Sequence, residues 1–112
     1  MKALRLHASK EPKTGYTLSE FEIRTGKIAE GSKVWRHPEL RIEEVEKPKL
    51  GPKDLLIGVK ACGICGSDVH FYETDEHGYM LYPGLTRFPC IIGHEFSGEV
   101  EDIGQAVKDL KV

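Results

Sequence analysis

Cys65 and His94 stand 29 positions apart in a chain of 112 residues, set in two short polar and glycine-rich stretches, Gly63-Ile64-Cys65-Gly66-Ser67-Asp68-Val69-His70 and Gly93-His94-Glu95. A thiolate and an imidazole are ligand types that tetrahedral zinc favours, and a catalytic zinc keeps three protein ligands with one position open. The spacing is too long for a local zinc knuckle, so the chain has to fold back to bring the two together. The chemistry expected is that of a tertiary metal site, with Cys65 held as a thiolate by the ion. Each residue taken singly has a plainer reading. Cysteine is often a buried structural residue, and a histidine after glycine is commonly a loop or core residue.

The elements around these residues follow from periodicity. Residues 54–61 place Leu55, Ile57, Val59 and Ala61 on one face of a strand that runs straight into the cysteine motif. Gly63 and Gly66 mark a tight turn, after which Ser67 or Asp68 is placed to cap a short helix through Val69, Phe71 and Tyr72. Residues 78–89 hold two glycines, two prolines and three aromatics, an irregular loop with aromatic anchors that could line a pocket. Residues 96–103 return to strand composition, with Gly98 a bulge or close backbone contact and Gly104 a turn. Upstream, residues 40–45 read as a strand and residues 2–7 as an edge strand. Residues 8–32 carry only a weak pattern, in which Tyr16, Leu18, Phe21 and Ile23 permit a strand or hairpin arm, and Trp35 with Val34 is placed to anchor them.

The bulk properties bound the function. A chain of 112 residues is one domain at most. A net charge of −2 with both signs interspersed gives no basic stripe, so no nucleic acid partner is expected. There is neither a long apolar run nor the apolar block of a secretory signal, so a cytoplasmic protein with no membrane partner is expected. Three cysteines are an odd set for a disulfide framework and suit a reducing compartment. Cys62 is expected to pack under the end of its strand and Cys90 to be buried beside Pro89 and Ile91. His7, His37 and His77 have no ligand-spaced partners, and Glu43, Glu44 and Glu46 read as a solvated strand face.

The two stretches, with the second continued through Phe96-Ser97-Gly98-Glu99-Val100, resemble the zinc-dependent medium-chain alcohol and polyol dehydrogenases. The resemblance runs from about residue 33 to residue 112, with residues 1–7 like the usual first strand and 8–32 like an insertion. It implies a mainly β fold, a β-rich α+β GroES-like partial barrel that makes up the N-terminal catalytic domain and stops short of a Rossmann domain. It further implies zinc ligation by Cys65 and His94, with Asp68 accepting from the second ring nitrogen of His94, and with Glu95 either a direct ligand or a group that approaches the metal during ligand exchange. Ser67 and His70 match the proton relay, which carries the hydroxyl proton of an alcohol to solvent while hydride leaves the carbon. Ser67 as a mere cap and His70 as a surface residue are the bland alternatives.

The resemblance therefore implies the N-terminal part of a homo-oligomeric oxidoreductase that turns a secondary alcohol or polyol into a ketone. Residues 31–36 and 74–85 look most like dehydrogenases of inositol-derived cyclic ketones, with sorbitol and threonine dehydrogenases further off. No Gly-x-Gly-x-x-Gly follows a strand in these residues, so NAD or NADP would be bound by a domain outside them. Two other classes stay open: a catalytically silent GroES-like interaction domain, and a redox module built on Cys62 and Cys65.

Overall fold

The computed structural model describes residues 1–112, with most of the regular structure in five strands. Strand β1 (Lys2–Lys10) pairs antiparallel with β2 (Trp35–Glu44), and β4 (Cys90–Ile91) joins the other side of β1. The stretch expected to be an edge strand is thus the middle of a three-stranded sheet, in the order β2-β1-β4. Its alternation is weak because both its ladders are occupied while only Leu6 is fully buried. Strand β2 begins at Trp35, ahead of the expected residue 40. The clean alternation starts late because His37 has a positive φ of 54° and the β1–β2 register slips between His7 and Ser9.

A separate antiparallel hairpin pairs β3 (Leu55–Gly63) with β5 (Glu95–Ile103), and these are the two strands read most clearly from periodicity. Gly98 sits opposite Val59 where the register shifts, and a side chain there would come within 2.3 Å of the Gly58 carbonyl oxygen, so the expected close backbone approach is what requires glycine. Gly104 is likewise pressed against the carbonyls of Gly51 and Pro52.

Two short α-helices and a 3-10 turn at Gly31–Lys33 complete the regular structure. Residues 8–10 continue β1, and residues 11–32 form no hairpin arm; they contain α1 (Glu20–Thr25). Ser19 caps it, accepting from the Glu22 amide at 3.1 Å while the Glu22 carboxylate accepts from the Ser19 amide at 2.8 Å, a reciprocal capping box. Gly26, at φ 72°, ends it in the left-handed conformation that glycine tolerates best. Glu22 is only 3% exposed, and it also accepts from Tyr16 Oη at 2.6 Å and from the Ala29 amide at 2.9 Å. Those bonds to the charged form hold its pKa down at about 2, with the Ser19 amide contributing most. The second helix, α2 (Gly66–Tyr72), follows β3. No helix is long and apolar enough to cross a membrane.

The principal core lies between residues 8–35 and the segment after α2. Ile28, Val34, Trp35 and Met80 are buried together, with Tyr16, Leu18, Phe71 and Phe88 packed against them. The expected anchoring by Val34 and Trp35 is therefore found, with Trp35 edge-on to Phe88 at 5.0 Å. The acidic stretch of β2 is less solvated than expected: Glu43 is half-buried and pairs with Arg5 at 3.0 Å and with His7.

Candidate metal centre

The site forms where β3 gives way to α2 and where β5 begins. Cys65 is the N-cap of α2, which displaces the expected caps Ser67 and Asp68 into the first turn. Asp68 is the residue that stabilises the helix start, because its Oδ2 accepts from the Cys65 amide at 3.0 Å. His94 and Glu95 arrive from the other strand of the hairpin after Gly93. That glycine has φ 102°, and a side chain on it would lie 2.8 Å from Cys62 Sγ. Cys62 is exposed, not packed beneath the strand end, with its sulfur next to Gly93. Cys90 is half-buried, and burial raises its thiol pKa.

The ligand atoms of Cys65, His94 and Glu95 all fall within 4.8 Å of one another. Zinc bonds of 2.0–2.3 Å in tetrahedral geometry put ligand atoms roughly 3.5 Å apart, so the three need close only slightly around an ion. The chain fits such an ion on a second ground. Asp68 is 7% exposed, and its Oδ1 lies 3.3 Å from His94 Nδ1 without the alignment of a good hydrogen bond. A carboxylate facing Nδ1 favours the tautomer that leaves Nε2 as the lone-pair donor, the usual arrangement behind a metal-bound histidine.

The electrostatics agree with a thiolate. The backbone amide and hydroxyl of Ser67, followed by His94, hold the Cys65 thiol below its ordinary pKa. His94 is raised, first by its hydrogen bond with Cys65 and then by the charge of Asp68. Ser67 is half-buried beside the sulfur, and His70 stands three residues on along the same face of α2, exposed. Of the residues singled out, Cys65, His94, Glu95, Asp68 and Ser67 are brought together, while His70 sits at the outer margin.

An apolar cavity of about 490 Å³ adjoins the site, walled by Leu4, Leu40, Ile64, Val69, Tyr72 and Ile92, with Asp68 at its polar spot. No residue of 78–89 borders it. The loop packs instead on the far end of α2, where Tyr82 stacks on Phe71 with ring centres 4.3 Å apart.

Comparison with known proteins places this geometry among relatives. The family described as alcohol dehydrogenase GroES-like domain matches residues 51–112. Scyllo-inosose 3-dehydrogenase of Thermotoga maritima is 54% identical over 105 residues, which cover 93% of this chain and 27% of that protein. L-threonine 3-dehydrogenase of Colwellia psychrerythraea is 44% identical over 77 residues, covering 69% of this chain and 21% of the relative. A solved structure from Thermotoga maritima, assigned as an alcohol dehydrogenase, superposes with a TM-score of 0.88 at 53% identity, covering 95% of this chain and 27% of that one. The chain spans about a quarter of the length of these relatives.

Proposed function

The chain belongs to the alcohol dehydrogenase GroES-like domain family, and from that premise we propose that it supplies the metal-binding and proton-relay side of a zinc- and NAD(P)-dependent dehydrogenase. The reaction is oxidation of a secondary alcohol to a ketone, and the likeness to scyllo-inosose 3-dehydrogenase supports a cyclic polyol or its ketone as the substrate class. The observation that carries this reading is the convergence of Cys65, His94 and Glu95, with buried Asp68 behind the imidazole.

A zinc ion held there would supply acidification of the substrate hydroxyl, and a nicotinamide would supply the hydride-accepting ring. Every other part falls to residues of this chain. Cys65 and His94 hold the ion, and Glu95 is the third candidate donor within reach. Asp68 orients His94. Ser67, half-buried next to Cys65, is placed to take the hydroxyl proton as its own proton moves on, and His70, exposed one turn along the helix, is placed to pass that charge to solvent. The dinucleotide would be held by residues outside these 112, in a cytoplasmic, self-associating enzyme.

Titration with cobalt(II), a spectroscopic substitute for zinc, tests the reading. A thiolate-to-cobalt absorption that Cys65→Ser abolishes and His94→Ala weakens is the expected result. Binding with no sulfur signature, or none at all, would return the chain to the silent interaction-domain reading.

A further inference from the structure

The segment between β1 and β2 grips the loop that follows α2 along its whole length. Ile28 and Thr86 exchange two backbone hydrogen bonds, at 2.7 and 2.9 Å, and the Gly31 amide donates to the Gly84 carbonyl at 3.1 Å. At the other end, Tyr79 Oη donates to the Glu11 carbonyl at 2.8 Å. Lys13 Nζ lies over the Tyr79 ring at 4.7 Å and the Arg36 guanidinium at 5.2 Å. Lys13 also reaches Asp75, whose Oδ1 accepts from the amides of His77 and Tyr79. Ile28 and Met80 belong to the same buried core cluster.

The gripped loop in turn holds α2. The Tyr82 amide donates to the His70 carbonyl at 3.1 Å, Leu81 donates to the Glu73 carbonyl at 3.1 Å, and Tyr82 stacks on Phe71. Helix α2 carries Ser67, Asp68 and His70 and is capped by Cys65. A continuous set of contacts therefore runs from residues 11–34 through residues 74–86 to one half of the metal centre. The other half, His94 and Glu95, belongs to the β3–β5 hairpin and lies outside that set.

We propose that residues 11–34 are a brace that positions α2, and that Gly31 and Tyr79 are the positioning residues where brace meets loop. Gly31 is the tightest point. It is buried, and a side chain there would lie 2.4 Å from Thr86 Oγ1 and 2.5 Å from the Met80 methyl. The brace fixes the distance and angle at which Cys65 and Asp68 meet His94, so it sets metal affinity without touching the metal. The part concerning affinity rests on the metal-site reading above; the mechanical part does not.

The test uses the full 112-residue chain as wild type, Gly31→Ala, Tyr79→Phe and, as a control, Ile23→Ala, an exposed residue of α1 that makes none of these contacts. Amide hydrogen exchange and cobalt(II) affinity are read for each. The expected result is five- to tenfold faster exchange in residues 66–86 for Gly31→Ala, a smaller rise for Tyr79→Phe, and no change in β3–β5 for either. Cobalt affinity should fall at least threefold in Gly31→Ala and stay unchanged in Ile23→Ala. A loop that loosens while α2 exchange and affinity hold steady would overturn the proposal, as would a uniform rise across the chain. Should Gly31→Ala fail to fold, Tyr79→Phe decides by the same two readouts. A wild-type chain that binds no cobalt sinks the dehydrogenase reading and leaves the exchange data to judge the brace.

Discussion

Asp68 ties the two halves of the candidate metal centre together: its Oδ1 faces His94 Nδ1 at 3.3 Å while its Oδ2 accepts from the Cys65 amide at 3.0 Å. One carboxylate thus sets the tautomer of the imidazole and the backbone position of the thiol. The two jobs separate by substitution. Asp68→Asn keeps an oxygen for the Cys65 amide and loses the charge, so zinc affinity should fall roughly 10- to 100-fold with little change in stability. Asp68→Ala loses both, and should cost a further ~1 kcal/mol in chemical denaturation because the helix start is left uncapped. Competition with a zinc-binding dye measures the first, and urea titration the second.

The thiols of Cys65 and Cys90 should separate by reactivity. Cys65 is held below its ordinary pKa by Ser67 and His94, whereas burial raises Cys90. In the metal-free chain, alkylation followed by mass spectrometry should label Cys65 at a lower pH than Cys90, since only the thiolate reacts. Zinc should then protect Cys65 alone. Equal rates at Cys65 and Cys90 would contradict the electrostatics described above.

Glu22 and Tyr16 give the fold opposite sensitivities at the two ends of the pH scale. Glu22 falls from 4.5 to about 2 on folding, so its contribution is complete above 4.5 and is lost as pH falls toward 2. Tyr16 rises from 10.0 to about 12, first through its hydrogen bond to Glu22, so its neutral form is favoured in the fold and stability falls as pH climbs from 10 to 12. Glu22→Gln should destabilise the chain at neutral pH by about 1–3 kcal/mol. It should also flatten the acid limb of a thermal-denaturation profile. A variant with an unaltered acid limb would show that other carboxylates govern it.

Gly93→Ala should lower stability by ~1–2 kcal/mol, the usual cost of a side chain in the left-handed region, and should weaken metal binding by moving His94. Part of the loss comes from the contact with Cys62 Sγ. The double variant with Cys62→Ala should regain that part and leave the backbone cost. Full recovery would mean that φ at this position is unstrained.

The site was legible where residue type and turn chemistry coincide. Cys65 and His94 are legible from ligand chemistry between glycines, Ser67, Asp68 and Glu95 only through the resemblance of their motifs to a known family, and the strand that leads in is readable from Leu55, Ile57, Val59 and Ala61. Helix α1 escaped notice although Ser19, Glu22 and Gly26 carry its start and stop signals. Its apolar residues Phe21 and Ile23 point outward, 44% and 67% exposed, so no stripe at helical spacing marks it. The exposure of Cys62 has no local signal, since the neighbour of its sulfur, Gly93, lies 31 residues further along. The central place of β1 was hidden for the same kind of reason: its second neighbour, β4, is a two-residue strand near residue 90.

The β3–β5 hairpin shares no ladder with the other sheet, and Cys65 and His94 sit just beyond the end where Gly63 pairs with Glu95. An ion gripped there would act as a rivet, closing a circuit of 29 residues that holds α2 and the braced loop. By the loop-entropy relation for covalent cross-links, a closure of that span disfavours the unfolded chain by roughly 3–4 kcal/mol, so chelation would be felt as lost cohesion well away from any chemistry.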